Sequence, residues 1–199
     1  MNEFERKTIN FYNDNADSFQ ESIKSAIMTE SCNRFLSYLP KQASILDLGC
    51  GTGRDSLYFK NLGYSVLPLD ASEKMCEIAT STTGIKAIKK TFEELCFKEQ
   101  FDGIWACASL LHVSRGSLSQ ILCRINKSLT PKGILYMSFK YGNSSYEKNG
   151  RFFTDITEDD IPALCNENNG FEILEYYITQ DVRSERSKEK WLNIIARKI

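Results

Sequence analysis

Apolar positions along the chain follow two alternating periods. TESCNRFLSYLP (Thr29 to Pro40) puts Cys32, Phe35, Leu36 and Leu39 at helical spacing, and Pro40 ends the run. The first 40 residues as a whole read as helical and amphipathic. From Ser44 the pattern changes. SILDL (Ser44 to Leu48) predicts a short buried strand, and RDSLYFKNLG a helix with Gly63 at its C′ position. YSVLPLD (Tyr64 to Asp70) is a second strand, after which Ser72 can cap a helix with Met75, Ile78 and Ala79 inward. GIKAIKK is a weaker third strand, and FDGIWACA (Phe101 to Ala108) a strongly apolar fourth.

From Gly116 to Leu129, Leu118, Ile121, Leu122, Ile125 and Leu129 form one helical stripe. GILYMSFKY is strand five. TEDD (Thr157 to Asp160) reads as the capping-box start of a helix that Gly170 closes. FEILEYYIT and KWLNIIARK are two further strands joined by a charged turn. Strands alternating with helices imply a mostly parallel sheet covered on both faces, and the helix-free last connection implies one reversed strand. The expected fold is therefore α/β, a three-layer sandwich around seven strands with the last antiparallel. Residues 1–199 read as one domain, with 1–40 as a helical cap over the active site.

Composition narrows the classes little. Charged residues are 26% and the net charge is −1, so nothing global advertises nucleic acid or membrane as a partner. The charged start MNEFERKTINFYNDN lacks the apolar core of a signal peptide, and no run is long enough to span a bilayer. The seven cysteines, an odd count without C-x-x-C spacing, predict a reduced, cytoplasmic protein with no metal site.

The chemistry begins at ILDLGCGTGRDS. Gly49, Gly51 and Gly53 are spaced G-x-G-x-G, and Arg54 stands where a dinucleotide fingerprint has its third glycine. No Gly-Lys-Ser/Thr follows, which excludes a phosphate-binding P-loop. Asp47 ends the strand before the loop, where a carboxylate repels pyrophosphate and suits an ammonium. Asp70 ends the next strand, 23 residues on, placed to take ribose hydroxyls. A ligand with a ribose and an amine but no phosphates fits these residues, and S-adenosylmethionine is such a ligand.

These stretches resemble the Rossmann-like, class I family of S-adenosylmethionine-dependent methyltransferases. LDLGCGTG is similar to the family's first motif, VLPLDAS to its second, KTFEEL more loosely to its third, and FDGIWACASLLHV to its fourth. GRDSLYFKNLGYSV and the chain length resemble, more loosely, small bacterial tellurite-resistance and thiol-type methyltransferases. The resemblance implies S-adenosylmethionine as cofactor, S-adenosylhomocysteine as product, and cofactor contacts from Tyr12, Asp47, Gly49, Cys50, Gly51, Gly53, Asp70, Ala71, Met75, Phe92 and Ala106.

The polar stretch KYGNSSYEKNGRFFTD (Lys140 to Asp155) reads as a loop at the ligand-binding edge of the sheet. It offers Tyr141, Arg151 and Phe153 to an acceptor pocket, together with Phe19 and with Arg183 from the charged turn. Methyl transfer from a sulfonium is an in-line displacement whose leaving group needs no protonation. The protein's task is then to align the reactants and exclude water. A hydroxyl acceptor would want a base, for which His112, or more distantly Tyr141, is available. The expected activity is methyl transfer to a small molecule. The alternatives are methylation of tRNA or another macromolecule, and a non-catalytic S-adenosylmethionine-binding module.

Overall fold

The computed structural model describes residues 3–23, 26, 28–166, 168–183 and 186–199. Helices α1 (Glu3–Asp14), α2 (Ala16–Ile23) and α3 (Thr29–Ser37) precede the first strand. Then β1 (Ser44–Leu48), α4 (Arg54–Asn61), β2 (Ser65–Asp70), α5 (Glu73–Thr83), β3 (Ile88–Lys89) and β4 (Phe101–Ala106) alternate. The chain continues through α6 (Arg115–Ser128), β5 (Leu129–Lys140), β6 (Ser145–Lys148), β7 (Arg151–Thr154), α7 (Ile161–Leu164), β8 (Phe171–Gln180) and β9 (Lys190–Lys198).

Seven strands form one sheet in the order β3-β2-β1-β4-β5-β9-β8. β1 to β5 pair in parallel, and β9 runs antiparallel to both β5 and β8. The expected seven-stranded sheet with a reversed last strand is what forms. Alternate residues of each strand serve two cores. Ile45, Trp105, Tyr136 and Ile195 meet Cys32 and Phe35 of α3 and Phe59 of α4. Leu46, Ile104, Leu135 and Ile194 meet Leu118, Ile121 and Ile125 of α6. Gly103 lets α3 approach the sheet, because a Cβ there would lie 2.7 Å from Phe35 and 2.8 Å from Leu39.

Chain order reverses between β1 and β4, so their C-terminal ends open a crevice at the topological switch point. α1 bridges it. At one end Asn13 Oδ1 accepts from Ser72 Oγ at 2.7 Å; toward the other, Thr8 Oγ1 accepts from the Phe152 amide at 3.1 Å. Of the first 40 residues, α1, α2 and Met28 face this crevice, whereas α3 belongs to the helical layer on the sheet.

Three expectations need correction. Lys140 to Asp155 is not a loop: it carries the β6–β7 hairpin, paired from Ser145↔Thr154 to Lys148↔Arg151. Asn149 (φ 52°) and Gly150 (φ 75°) make its turn, and Asn-Gly is the strongest short hairpin signal. The polarity of the segment masked it. The Thr157–Asp160 capping box does form, but the α-helix after it, Ile161–Leu164, has only four residues. Asn169 takes over there, donating to the Ala163 and Leu164 carbonyls and ending the helix well before Gly170. The third strand shrinks to Ile88–Lys89, at the sheet edge with a single neighbour to pair.

Candidate active site

The glycine loop is held by main-chain bonds to the end of β2. Gly49 and Cys50 amides both donate to the Leu69 carbonyl, at 2.8 and 2.9 Å. Gly49 sits at φ 77°, and a Cβ on it would overlap the Ser109 side chain, whose hydroxyl donates to the Leu48 carbonyl. The Gly51 amide donates to Asp70 Oδ2 at 2.9 Å, and the Ser72 amide to Asp70 Oδ1 at 2.8 Å. Burial raises the Asp70 carboxyl above its ordinary range despite these bonds.

Asp47 is 3% exposed and accepts from Ser56 Oγ at 2.6 Å. Burial, joined by the neighbouring Asp55 carboxylate, pushes it up to about 7. Asp55 is held from two sides, by the Arg54 guanidinium at 2.7 and 2.9 Å and by Trp105 Nε1 at 2.9 Å. Three carboxylates and one arginine thus converge at the C-terminal ends of β1 and β2. A cationic ligand bearing hydroxyls would relieve the charge that burial makes costly.

His112 ends a short 3-10 turn after β4, facing α1 and β7. Burial lowers it to about 4, so it is neutral at pH 7. Nδ1 lies 2.6 Å from the Phe152 carbonyl, which can only accept, so Nδ1 carries the proton and donates. Nε2 is then the lone pair, and it accepts from Tyr12 OH at 2.9 Å. Phe19 packs edge-on against Tyr12, and Arg151 lies over the rings of Phe11, Tyr12 and Phe153.

One cavity of about 250 Å³ joins these groups. Tyr12, Phe19, Asp47, Gly49, Cys50, Gly51, Asp70, Ala71, Met75 and Phe92 line it, as do His112, Arg151, Phe153 and Arg183. Three expected residues lie outside its lining. Gly53 is needed for helix packing instead, since a Cβ there would stand 3.0 Å from Ala79 and Thr83 of α5. Ala106 is fully buried in the sheet core. The Tyr141 hydroxyl is hydrogen-bonded to Glu158 rather than turned to this cavity. Cys50 and Cys107 face the cavity, but burial raises both thiols, Cys107 to about 12, which disfavours their thiolates.

Sequence reasoning missed Arg54, Lys140, Arg186, Trp191 and Asn193 as lining residues. The last three come from the β8–β9 connection and β9, far along the chain from the glycine loop. Only the insertion of β9 beside β5 carries them to the crevice. Among the described residues no cluster suits a metal ion, and no helix is long and apolar enough to cross a membrane.

Residues 45–133 match the family model described as a methyltransferase domain. That span starts in β1 and ends in β5, enclosing the glycine loop, Asp70 and His112. This part of the chain is similar to methyltransferase domains. Among curated methyltransferases and their relatives, the chain is 31% identical over 113 residues to a putative methyltransferase, YqeM, of Bacillus subtilis, covering 51% of this chain and 46% of the relative. It is 32% identical over 129 residues to a carboxy-S-adenosyl-L-methionine synthase of Campylobacter jejuni subsp. doylei, covering 60% and 55%. The chain thus spans about half the length of the curated relatives it matches. In fold it is similar to the Burkholderia thailandensis 1,6-didemethyltoxoflavin-N1-methyltransferase solved with bound 1,6-didemethyltoxoflavin and S-adenosylhomocysteine. The TM-score is 0.78 at 23% identity, covering 96% of this chain and 84% of that one.

Proposed function

We propose that the chain transfers the methyl group of S-adenosylmethionine to a small-molecule acceptor, with residues 1–199 acting as one unit. One observation carries this reading. The carboxylates of Asp47 and Asp70, on either side of the glycine loop, open into the same roofed cavity as Tyr12, His112 and Phe153. A donor end and an acceptor end are therefore continuous.

The residues present fit the donor. Asp47 would meet its ammonium, and Arg54 and the amides at the start of α4 would meet its carboxylate. Asp70, already oriented by the Gly51 and Ser72 amides, has lone pairs left for the ribose hydroxyls. A Cβ on Gly51 would meet only the Phe19 ring, at 3.8 Å, so the loop backbone itself forms that wall. Met75, Ala71 and Phe92, which line the same cavity, would enclose the donor's adenine base. When bound, the donor supplies an electrophilic methyl group on a sulfonium.

The remaining work is alignment and dryness. Tyr12 and Phe19 close the top, and α1 is pinned at Asn13 and Thr8 on either side of Tyr12. His112 keeps its proton on Nδ1, and its Nε2 lone pair is occupied by Tyr12. An acceptor that must lose a proton reaches His112 only through the Tyr12 hydroxyl. A thiolate, amine or oxyanion acceptor needs neither. The seven unpaired cysteines support a reducing, cytoplasmic setting.

Calorimetric titration with S-adenosylmethionine and S-adenosylhomocysteine tests the donor site. Detection of S-adenosylhomocysteine release over thiols, amines, phenols and oxyanions tests the acceptor class. Absence of binding to either nucleoside refutes the donor reading. Tight binding without turnover of any small acceptor refutes the small-molecule reading.

A further inference from the structure

The cavity is electrically lopsided. Its donor end holds Asp47, Asp55 and Asp70 against Arg54. Its far end, toward β5, β7 and the β8–β9 turn, holds Lys140, Arg151, Arg183 and Arg186. Two of these four cations are neutralised locally. Lys140 Nζ lies 2.7 Å from Glu189, and Arg183 is clamped on Asp181, which also accepts from Trp191 Nε1 at 3.1 Å. Arg151 and Arg186 have no ion pair to a carboxylate among the described residues. Among the described residues, Glu5 of α1 is a further acid in the lining.

Arg151 is built in rather than dangling. Its position is set by the Asn149-Gly150 turn, which pairs Arg151 with Lys148, and its guanidinium lies 4.3 Å from the Phe11 ring centroid and 5.3 Å from that of Phe153. Aromatic faces hold the planar cation in orientation without cancelling its charge. Its Nε is a buried donor with no hydrogen-bond partner, in a residue that lines the cavity. Buried donors in folded proteins are almost always satisfied, so an unused one at a ligand site marks where a ligand acceptor belongs. The positive charge is felt nearby: Arg151 and Lys140 both act to keep His112 neutral.

We infer that this basic end, centred on Arg151 with Arg186 lining the same cavity, is a subsite for an oxyanion on the acceptor, in the first place a carboxylate. The fork of an arginine matches a carboxylate in two-point contact, which fixes the orientation of the acceptor as well as its affinity. The anion anchors the acceptor at one end of the cavity while the atom to be methylated lies toward the glycine loop. The inference rests on the reading of this cavity as a methyl-acceptor chamber.

The test uses the full chain, with and without saturating S-adenosylhomocysteine, titrated calorimetrically with hydroxy-, amino- and mercapto-substituted carboxylic acids, each against its neutral methyl ester. Sodium selenite is the inorganic arm. At least one acid should bind tenfold or more tighter than its ester. Arg151→Gln should erase that preference, Arg151→Lys should keep part of it, and Arg186→Gln should reduce it severalfold. Selenite binding that depends on Arg151, without any acid binding, supports the subsite and assigns it to small inorganic oxyanions. Esters binding as well as acids, no anion binding at all, or acid affinity unchanged in both Arg151→Gln and Arg186→Gln overturns the inference. Thermal melts establish that each variant is folded, and Arg186→Gln, on the outer turn, keeps the test decisive if Arg151→Gln is not. Failure of S-adenosylhomocysteine to bind the wild-type chain counts against the donor reading alone, since the titrations without it still judge the subsite.

Discussion

Asp47→Asn should make the ligand-free protein more stable while weakening its hold on the donor. The carboxyl is 3% exposed, and burial with the nearby Asp55 charge moves it from 3.8 to about 7. At ~1.4 kcal/mol per pKa unit, a shift of that size means roughly 4 kcal/mol of penalty for the ionised form at pH 8. Asparagine keeps the shape, and its carbonyl oxygen can still accept from Ser56. Relaxation and new amide contacts reduce the gain, so about 1–4 kcal/mol is expected, at roughly 2–4 °C of melting temperature per kcal/mol for a chain of this size. The pH dependence has a definite sign. Below about pH 4 Asp47 is protonated in both folded and unfolded chains, and variant and wild type should be equally stable. Between pH 4 and 7 the unfolded chain releases this proton and the folded one keeps it, so the wild type loses stability and the gap opens. Above pH 7 the gap is full. Urea or thermal denaturation of the ligand-free protein at pH 4, 6 and 8 measures it. Titration with S-adenosylhomocysteine should show at least a tenfold loss of affinity at pH 8. A variant that is less stable than wild type at pH 8, or a gap that does not change with pH, refutes the account of Asp47.

Asp70→Ala removes the acceptor of the Gly51 and Ser72 amides along with the proposed ribose contacts, and calorimetry should show nucleoside affinity falling tenfold or more. Gly49→Ala forces a side chain onto Ser109 at φ 77°, and should cost about 2–4 kcal/mol in urea denaturation by combining left-handed strain with overpacking. His112 is held near 4, so its imidazole should stay neutral by NMR titration from pH 8 down to pH 5, and turnover should show no inflection near 6.5.

The order of elements, the parallel sheet with one reversed strand, and the acids and glycines of the proposed donor end were all legible in the chain itself. These are local properties: a period of apolar residues, a glycine spacing, a carboxylate at a strand end. The Asn149-Gly150 hairpin was equally local, but its polar flanks resembled a surface loop because one face of it packs on α1 rather than in the sheet core. The opposite holds for the proposed acceptor end. Arg151, Arg186, Trp191 and Lys140 lie on separate segments whose spacing carries no shared signal, and β9 must thread between β5 and β8 before they meet. Tyr141, adjacent to Lys140, faces away from the cavity because alternate positions leave a strand on opposite sides. Sequence alone therefore determined the fold and the acids and glycines on which the proposed donor site rests. Only the tertiary structure decided which charges remain without an ion pair around the rest of the cavity, because burial and pairing depend on neighbours that the linear chain does not place side by side.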